Sequence, residues 1–439
     1  MRQARVALGI LALTALAAAL AAGDWPGFRG LREGVSDERG LPERWSATEG
    51  IAWRAAVPGA GWSSPIVSGN RVFVTTATEE GVSCRILAFD RRTGALLWTI
   101  EAFKQKPTRK ERLNSYATPT PVTDGERVYA VFGEGGTAAL SVDGRVLWTN
   151  TEHPFYSQHG LGASPILVDG LVLQPRDGSS DGEDKTLGWQ KPWDRSFLLA
   201  LDARTGRTVY RAKRGLSRIA HVTPAVVTVA GRRQVVSPAG DVVQGFEPAT
   251  GRLLWTARSE GEGVVPSVVR AGDLVVTASG FGDPALRAYR LGGSGDVTAS
   301  HLAWEQKKAV PMISSPVVAA GLVFVVKENG IASALDAGTG AVVWQERLPG
   351  TYSASPLAAD GRVYFLSEDC ETTAVAAGRE FRRLGGGRLP GRCQASIAVD
   401  SGRLFVRTDT ELYAIGRDET DDRECEGVPR CGAGRAQAP

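Results

Sequence analysis

The sequence predicts an all-β fold: an eight-bladed β-propeller of four-stranded blades, closed by an N-terminal strand that completes the last blade. Three observations predict it. A phrase recurs along the chain in fixed order: a small residue and proline, a hydrophobic strand, a turn, a second strand, then Ala-x-Asp-x-x-Thr-Gly and a strand ending in Trp. Recurrence at this length implies stacked supersecondary units, because one such unit cannot bury its apolar face alone. The final unit stops before its aromatic strand, and a segment near the N-terminus has the form of that strand. Composition agrees, with Gly 53 and Pro 23 in 439 residues, many short Val-rich runs and no long helical period, as in a turn-rich β chain.

Along the chain, Arg2 and Arg5 precede an uncharged run from Val6 to Ala22, and Ala19-Leu20-Ala21 offers the small residues that signal peptidase accepts. Residues 1–22 are therefore expected to be a signal peptide, with an uncleaved anchor as the alternative. The mature protein is expected to be soluble and periplasmic or extracellular. The run holds no cysteine for lipid attachment and is short for a membrane span, so no stable membrane insertion is expected. Residues 23–50 are expected to form a strap across one face. Ile51 to Val57, carrying Trp53, is the strand expected to close the ring; sharing one sheet between the two ends protects edges that would otherwise invite aggregation. The propeller is assigned residues 51–417, and a tail residues 418–439.

The clearest repeats run from Ala88 to Trp98 and from Ala334 to Trp344. Ala200 to Tyr210 replaces Trp by Tyr, and Gly245 to Trp255 replaces Asp by Glu247. Ala139 to Trp148 has a shortened turn, Ala288 to Trp304 a Gly-rich insertion, and Ala374 to Phe381 keeps only a glycine and an aromatic. The openings are read at Ser64-Pro65, Thr118-Pro119, Ser164-Pro165, Thr223-Pro224, Val265-Pro266, Ser315-Pro316, Ser355-Pro356 and, without proline, Ala395-Ser396. Trp53, Trp98, Trp148, Trp255, Trp304 and Trp344 are expected on outer strands, packing between adjacent blades. Each Asp-x-x-Thr-Gly turn supports them through side-chain bonds to backbone amides and a glycine at positive φ.

The openings also locate a candidate site, because the loops entering each first strand converge on the propeller axis. Trp62, Tyr116, His159, Arg214, Arg218, His221 and Tyr352 lie at or near them, with Asn114 and Gln158 close by. Aromatics, two imidazoles and arginines together suggest a pocket for an anionic or planar ligand; a purely structural role for both histidines is the alternative. The longest insertion, Arg176 to Arg195, offers Trp189 and Trp193 as partner-docking anchors. Its Asp177, Ser179 and Asp181 alternate as calcium ligands do, but no bidentate Glu follows.

Near balance of 51 basic and 48 acidic residues excludes a field suited to a phosphate backbone, so nucleic acid is not an expected partner. Cys370 with Cys393, and Cys425 with Cys431, could form disulfides in an oxidising compartment, leaving Cys84 over; five free thiols are the alternative. No zinc spacing, GxSxG, HExxH or Walker loop occurs.

Over roughly residues 51 to 417, the spacing, turn and aromatic together resemble the PQQ-like repeats of the quinoprotein alcohol dehydrogenase-like and BamB-like propellers. Asp24-Trp25-Pro26-Gly27-Phe28-Arg29-Gly30 with Gly34-Val35-Ser36 is similar to the opening of exported bacterial members. The resemblance to the dehydrogenases implies an adjacent Cys-Cys pair, a calcium cluster and a catalytic Asp, none of which can be matched here. The resemblance to BamB implies loops offered to partner proteins without chemistry. The expectation is thus an exported non-catalytic binding or scaffolding propeller, monomeric, with no catalytic residue and no cofactor, whose partner is a cell-envelope protein or a small molecule. The alternative is a PQQ-dependent oxidoreductase using calcium.

Overall fold

The computed structural model describes residues 24–308 and 310–417; the expected signal peptide and the Cys425–Cys431 pair lie outside the described residues. Its strands form eight sheets, each with a core of four antiparallel strands. The first blade comprises Ile66–Ser68, Arg71–Thr78, Ser83–Asp90 and Leu96–Lys104. Inner and middle strands read as near-continuous hydrophobic runs because blades cover both of their faces, whereas the outer strand is largely open to water.

The last blade joins the chain ends. Ala398–Asp400, Arg403–Arg407 and Glu411–Ile415 are completed by Ile51–Ala56, with Trp53 opposite Ala414 and Arg54 opposite Tyr413.

The tryptophans seal the seams between blades. The indole Nε1 of Trp53 donates to Arg91 O at 2.8 Å, Trp98 to Val142 O at 3.1 Å and Trp148 to Ala203 O at 3.0 Å. Trp304 and Trp344 donate likewise to Ala337 O and Gly378 O, and the Tyr210 hydroxyl to Pro248 O. Each acceptor lies in the turn of the following blade. In that turn Asp90 Oδ1 accepts from Thr93 N at 2.8 Å and Thr93 Oγ1 at 2.9 Å. Gly94 must be glycine twice over: its φ is +73°, and a Cβ there would sit 2.5 Å from the Trp53 ring.

Two repeats depart from this rule. Trp255 is 2 % exposed at the expected seam, but its indole donates to Gln234 Oε1 of its own blade. The next repeat cannot offer the usual turn, because its insertion adds Gly295–Asp296 as a parallel fifth strand beside Trp255. In the seventh blade, Gly385-Gly386-Gly387 replaces the outer-strand aromatic, and Arg44–Trp45 of the strap pairs with it in parallel. Buried Trp45 covers the space that Gly387 leaves free.

The strap also crosses the axis. Trp25 bridges Val67 in blade one, Thr123 N donates to Pro26 O in blade two, Arg29 Nη2 reaches Pro316 O in blade six, and Ser36 N donates to Ala358 O in blade seven. Burial lowers the Arg29 guanidinium to about 9 despite neighbouring Glu33. Cys370 and Cys393 form a disulfide between a turn of blade seven and the loop entering blade eight, while Cys84 is a buried free thiol.

Candidate functional site

Two concentric rings of side chains define the axial mouth. In the lower ring, each opening Ser or Thr hydroxyl accepts a hydrogen bond from the backbone N–H of the opening residue one blade earlier. Ser64 N donates to Thr120 Oγ1, Thr120 N to Ser164 Oγ, Ser164 N to Thr223 Oγ1 and Thr223 N to Ser267 Oγ. Ser267 N then donates to Ser315 Oγ, Ser315 N to Ser355 Oγ, Ser355 N to Ser396 Oγ, and Ser396 N back to Ser64 Oγ. All eight bonds are 2.9–3.1 Å long, and the circle closes. This ring corrects three openings: the equivalent residues are Thr120-Pro121 and Ser267-Val268, two positions beyond Thr118-Pro119 and Val265-Pro266, and Ser396-Ile397, one beyond Ala395-Ser396. Thr118-Pro119-Thr120-Pro121 offers two matching phrases, and only hydroxyl contact with the next blade distinguishes them.

The upper ring lies two residues earlier in every blade: Trp62, Thr118, Gly162, His221, Val265, Ile313, Ser353 and Gln394. Residues two apart in an extended segment project the same way, so both rings face one axial cavity of about 560 Å³. Phe28 of the strap also lines it, as do Glu111, Asn114, His159, Trp189, Glu262 and Phe281 from the rim loops. The result is a cup with hydroxyls at its base and aromatics, imidazoles and carboxylates above.

Of the seven rim candidates, Trp62, His159 and His221 line the cup; the other four do not. Tyr116 donates to Thr108 O beside it, and Tyr352 is buried with its hydroxyl on Pro349 O. Arg214 is fully buried in a two-pronged pair with Asp177, at 2.5 and 3.0 Å, and also reaches Ser237. Arg218 is held by Asp241 at 2.5 Å and Glu262 at 3.3 Å. An anion-binding pocket built on these arginines is therefore excluded by their partners. Asn114 lines the cup, whereas Gln158 is buried behind it.

The long insertion forms a wall. Asp177 O accepts from Ala220 N, Gly188 O from Ile219 N, and Trp193 bridges Ser217. Trp189 projects into the cup and meets the His159 ring edge-on, centroids 5.7 Å apart. Trp193 packs against Gly188 and donates to Ser196 Oγ, so it anchors the loop and is not part of the cup.

The His159 and His221 rings lie 6.2 Å apart. Burial, with His159 adding to it, pulls His221 down to about 3. Burial lowers His159 as well, against Glu111 and Glu262 and with Arg109. Among the described residues neither imidazole bonds to a carboxylate or hydroxyl, so no base–nucleophile pair forms. His221 Nδ1 and Gln394 Nε2 are buried without a protein partner.

Against this geometry, the family model described as outer membrane protein assembly factor BamB, of the PQQ-like repeat type, matches residues 35–175, 194–292 and 293–419. The chain belongs to this PQQ-like propeller family. Among solved structures, BamB from Moraxella catarrhalis aligns at 19% identity and TM-score 0.52, over 77% of this chain and 96% of its own. The computationally designed Ika8 protein aligns at 13% identity and TM-score 0.54, over 85% of this chain and 100% of its own. A europium-containing methanol dehydrogenase aligns at 14% and 0.44, over 81% and 90%. These likenesses concern the fold alone, and fold does not settle activity. No curated protein matches the chain.

The family name implies pyrroloquinoline quinone with calcium, and the residues present do not fit either. The quinone carries three carboxylates, but the cup lining offers Glu111 and Glu262 and neither Lys nor Arg. Both Asp177 oxygens are taken by Arg214, Ser179 Oγ accepts from Gln158 N, and Asp181 is exposed. These three residues therefore do not converge as calcium ligands. No group of three or more His, Cys, Asp or Glu gathers to hold a metal among the described residues.

Sequence reasoning missed Phe28, Glu111, Glu262, Phe281 and Gln394. Gln394 was accessible through the two-residue offset from Ser396; the others sit in loops without periodicity.

Proposed function

We propose that this PQQ-like propeller is an exported, non-catalytic binding or scaffolding protein of the bacterial cell envelope, which presents its axial cup and rim to a partner. One observation carries the reading: a uniform structural ring holds above it a ring of eight dissimilar residues, open to solvent and, among the described residues, without catalytic pairing. A constant frame beneath a variable surface suits recognition. Exposed apolar side chains also stand on the rim loops: Leu187 within the long insertion, Leu216 on the loop entering blade four and Phe281 on the cup lining. The basic N-terminus before an apolar run and the Cys370–Cys393 disulfide support export. The family description names an assembly factor, which accords with a partner-binding role. The misfit of quinone and calcium weighs against the oxidoreductase alternative.

Photo-crosslinking in the envelope of living cells tests this. A crosslinkable residue at Leu216 should give a discrete adduct that competes with unlabelled protein, while one at Leu97 on an outer strand should give none. Equal labelling from both positions would contradict the proposal.

A further inference from the structure

The cup holds unspent chemistry on opposite sides. His221 belongs to the opening of blade four and Gln394 to that of blade eight, so they face each other across the axis. Neither side chain hydrogen-bonds to the protein among the described residues. One polar atom of each is shut off from water and has no partner, and both residues line the cavity. The space between is lined by flat apolar groups: Phe28, Trp62 and Phe281, and Trp189, whose ring meets that of His159 edge-on. Gly162 contributes no side chain, and a Cβ there would press on His221 at 3.1 Å; the open position seats the imidazole. Among lining residues the only full charges are carboxylates. The volume of about 560 Å³ suits a compact molecule.

We infer that the cup takes a compact, planar aromatic compound without negative charge, bearing hydrogen-bonding groups at its two ends that meet His221 and Gln394. The inference rests on the cup being the recognition surface, as proposed above, and adds the ligand's chemistry. Stacking surfaces favour a flat ring, Glu111 and the lack of any Lys or Arg on the lining disfavour an anion, and the two polar side chains fix the long axis.

Acridone is a suitable probe, being neutral, planar and fluorescent, with a carbonyl and an N–H at opposite edges; acridone-2-carboxylate, which leaves both edges free, is its anionic match. Fluorescence titration of the full protein at pH 7.5 should show saturable acridone binding, with the carboxylate at least tenfold weaker. Gln394→Leu and His221→Phe should each weaken acridone about fivefold, and Trp189→Ala more, at unchanged thermal midpoints. Leu97→Ala, far from the cup, should change nothing. Equal or tighter binding of the carboxylate, indifference of acridone to both polar substitutions, or no saturable binding would each overturn the inference. Crosslinking from Leu216 would still decide the broader recognition role, so the two failures are separable.

Discussion

The lower and upper rings of the cup lie only two residues apart in every blade, yet they are built on opposite principles. Below, eight Ser or Thr hydroxyls make one repeated bond to a neighbouring amide. Above, Trp, Thr, Gly, His, Val, Ile, Ser and Gln share nothing but position. The lower residue must answer a buried backbone N–H, a demand identical in every blade. The upper residue faces an open cavity, where the fold demands little and a ligand can demand much. Under the proposed function, stability and recognition are thereby separated along one short segment.

The largest effect should come from the frame itself. Trp53→Ala removes the aromatic that locks the closing strand onto the Arg91 turn and should cost about 3–5 kcal/mol in denaturant unfolding; a loss below about 1 kcal/mol would mean the closing strand carries no such burden. Next comes the lower ring, where Thr223→Val keeps the shape but leaves Ser164 N without its acceptor; a loss of about 1–3 kcal/mol is expected.

The upper ring should respond differently. Gly162→Ala crowds His221 and should weaken acridone binding severalfold while shifting the thermal midpoint little. A midpoint collapse would show that the upper ring also bears structure.

A smaller effect separates the rings by pH. His221 is held near 3 in the folded protein, mainly by burial, against an ordinary value of about 6.5. Below that ordinary value the unfolded chain takes up a proton that the folded one refuses, so stability should fall as pH drops from about 6.5 toward 3. Between pH 6.5 and 5, His221→Asn should flatten the decline in thermal midpoint. An equally steep decline in the variant would remove His221 as its source.

The propeller was legible in the sequence because its blades obey one local rule. Trp53 and Tyr413 could be joined across the whole chain because one repeat lacked its final strand and an earlier segment had that form. The rule failed where it had two equally good readings, as at Thr118 and Thr120. It failed again where a neighbour changed the acceptor, as at Trp255. The site was less legible. Arg214 and Arg218 stand near openings, but Asp177 and Asp241, far away in sequence, turn them from the cup. Phe28 reaches the cavity only because the strap crosses four blades, and no periodicity records such a path.

The separation of the two rings is tested most directly by urea unfolding of Ser396→Ala beside Gln394→Ala. Both sit in the same loop, two residues apart, next to the same disulfide at Cys393. Ser396 accepts the amide of Ser355 at 3.0 Å, so its loss should cost about 1–3 kcal/mol. Gln394 has no protein partner, and its loss should stay within about 0.5 kcal/mol of the parent. Equal losses, or a larger one at Gln394, would contradict the division of labour between the rings.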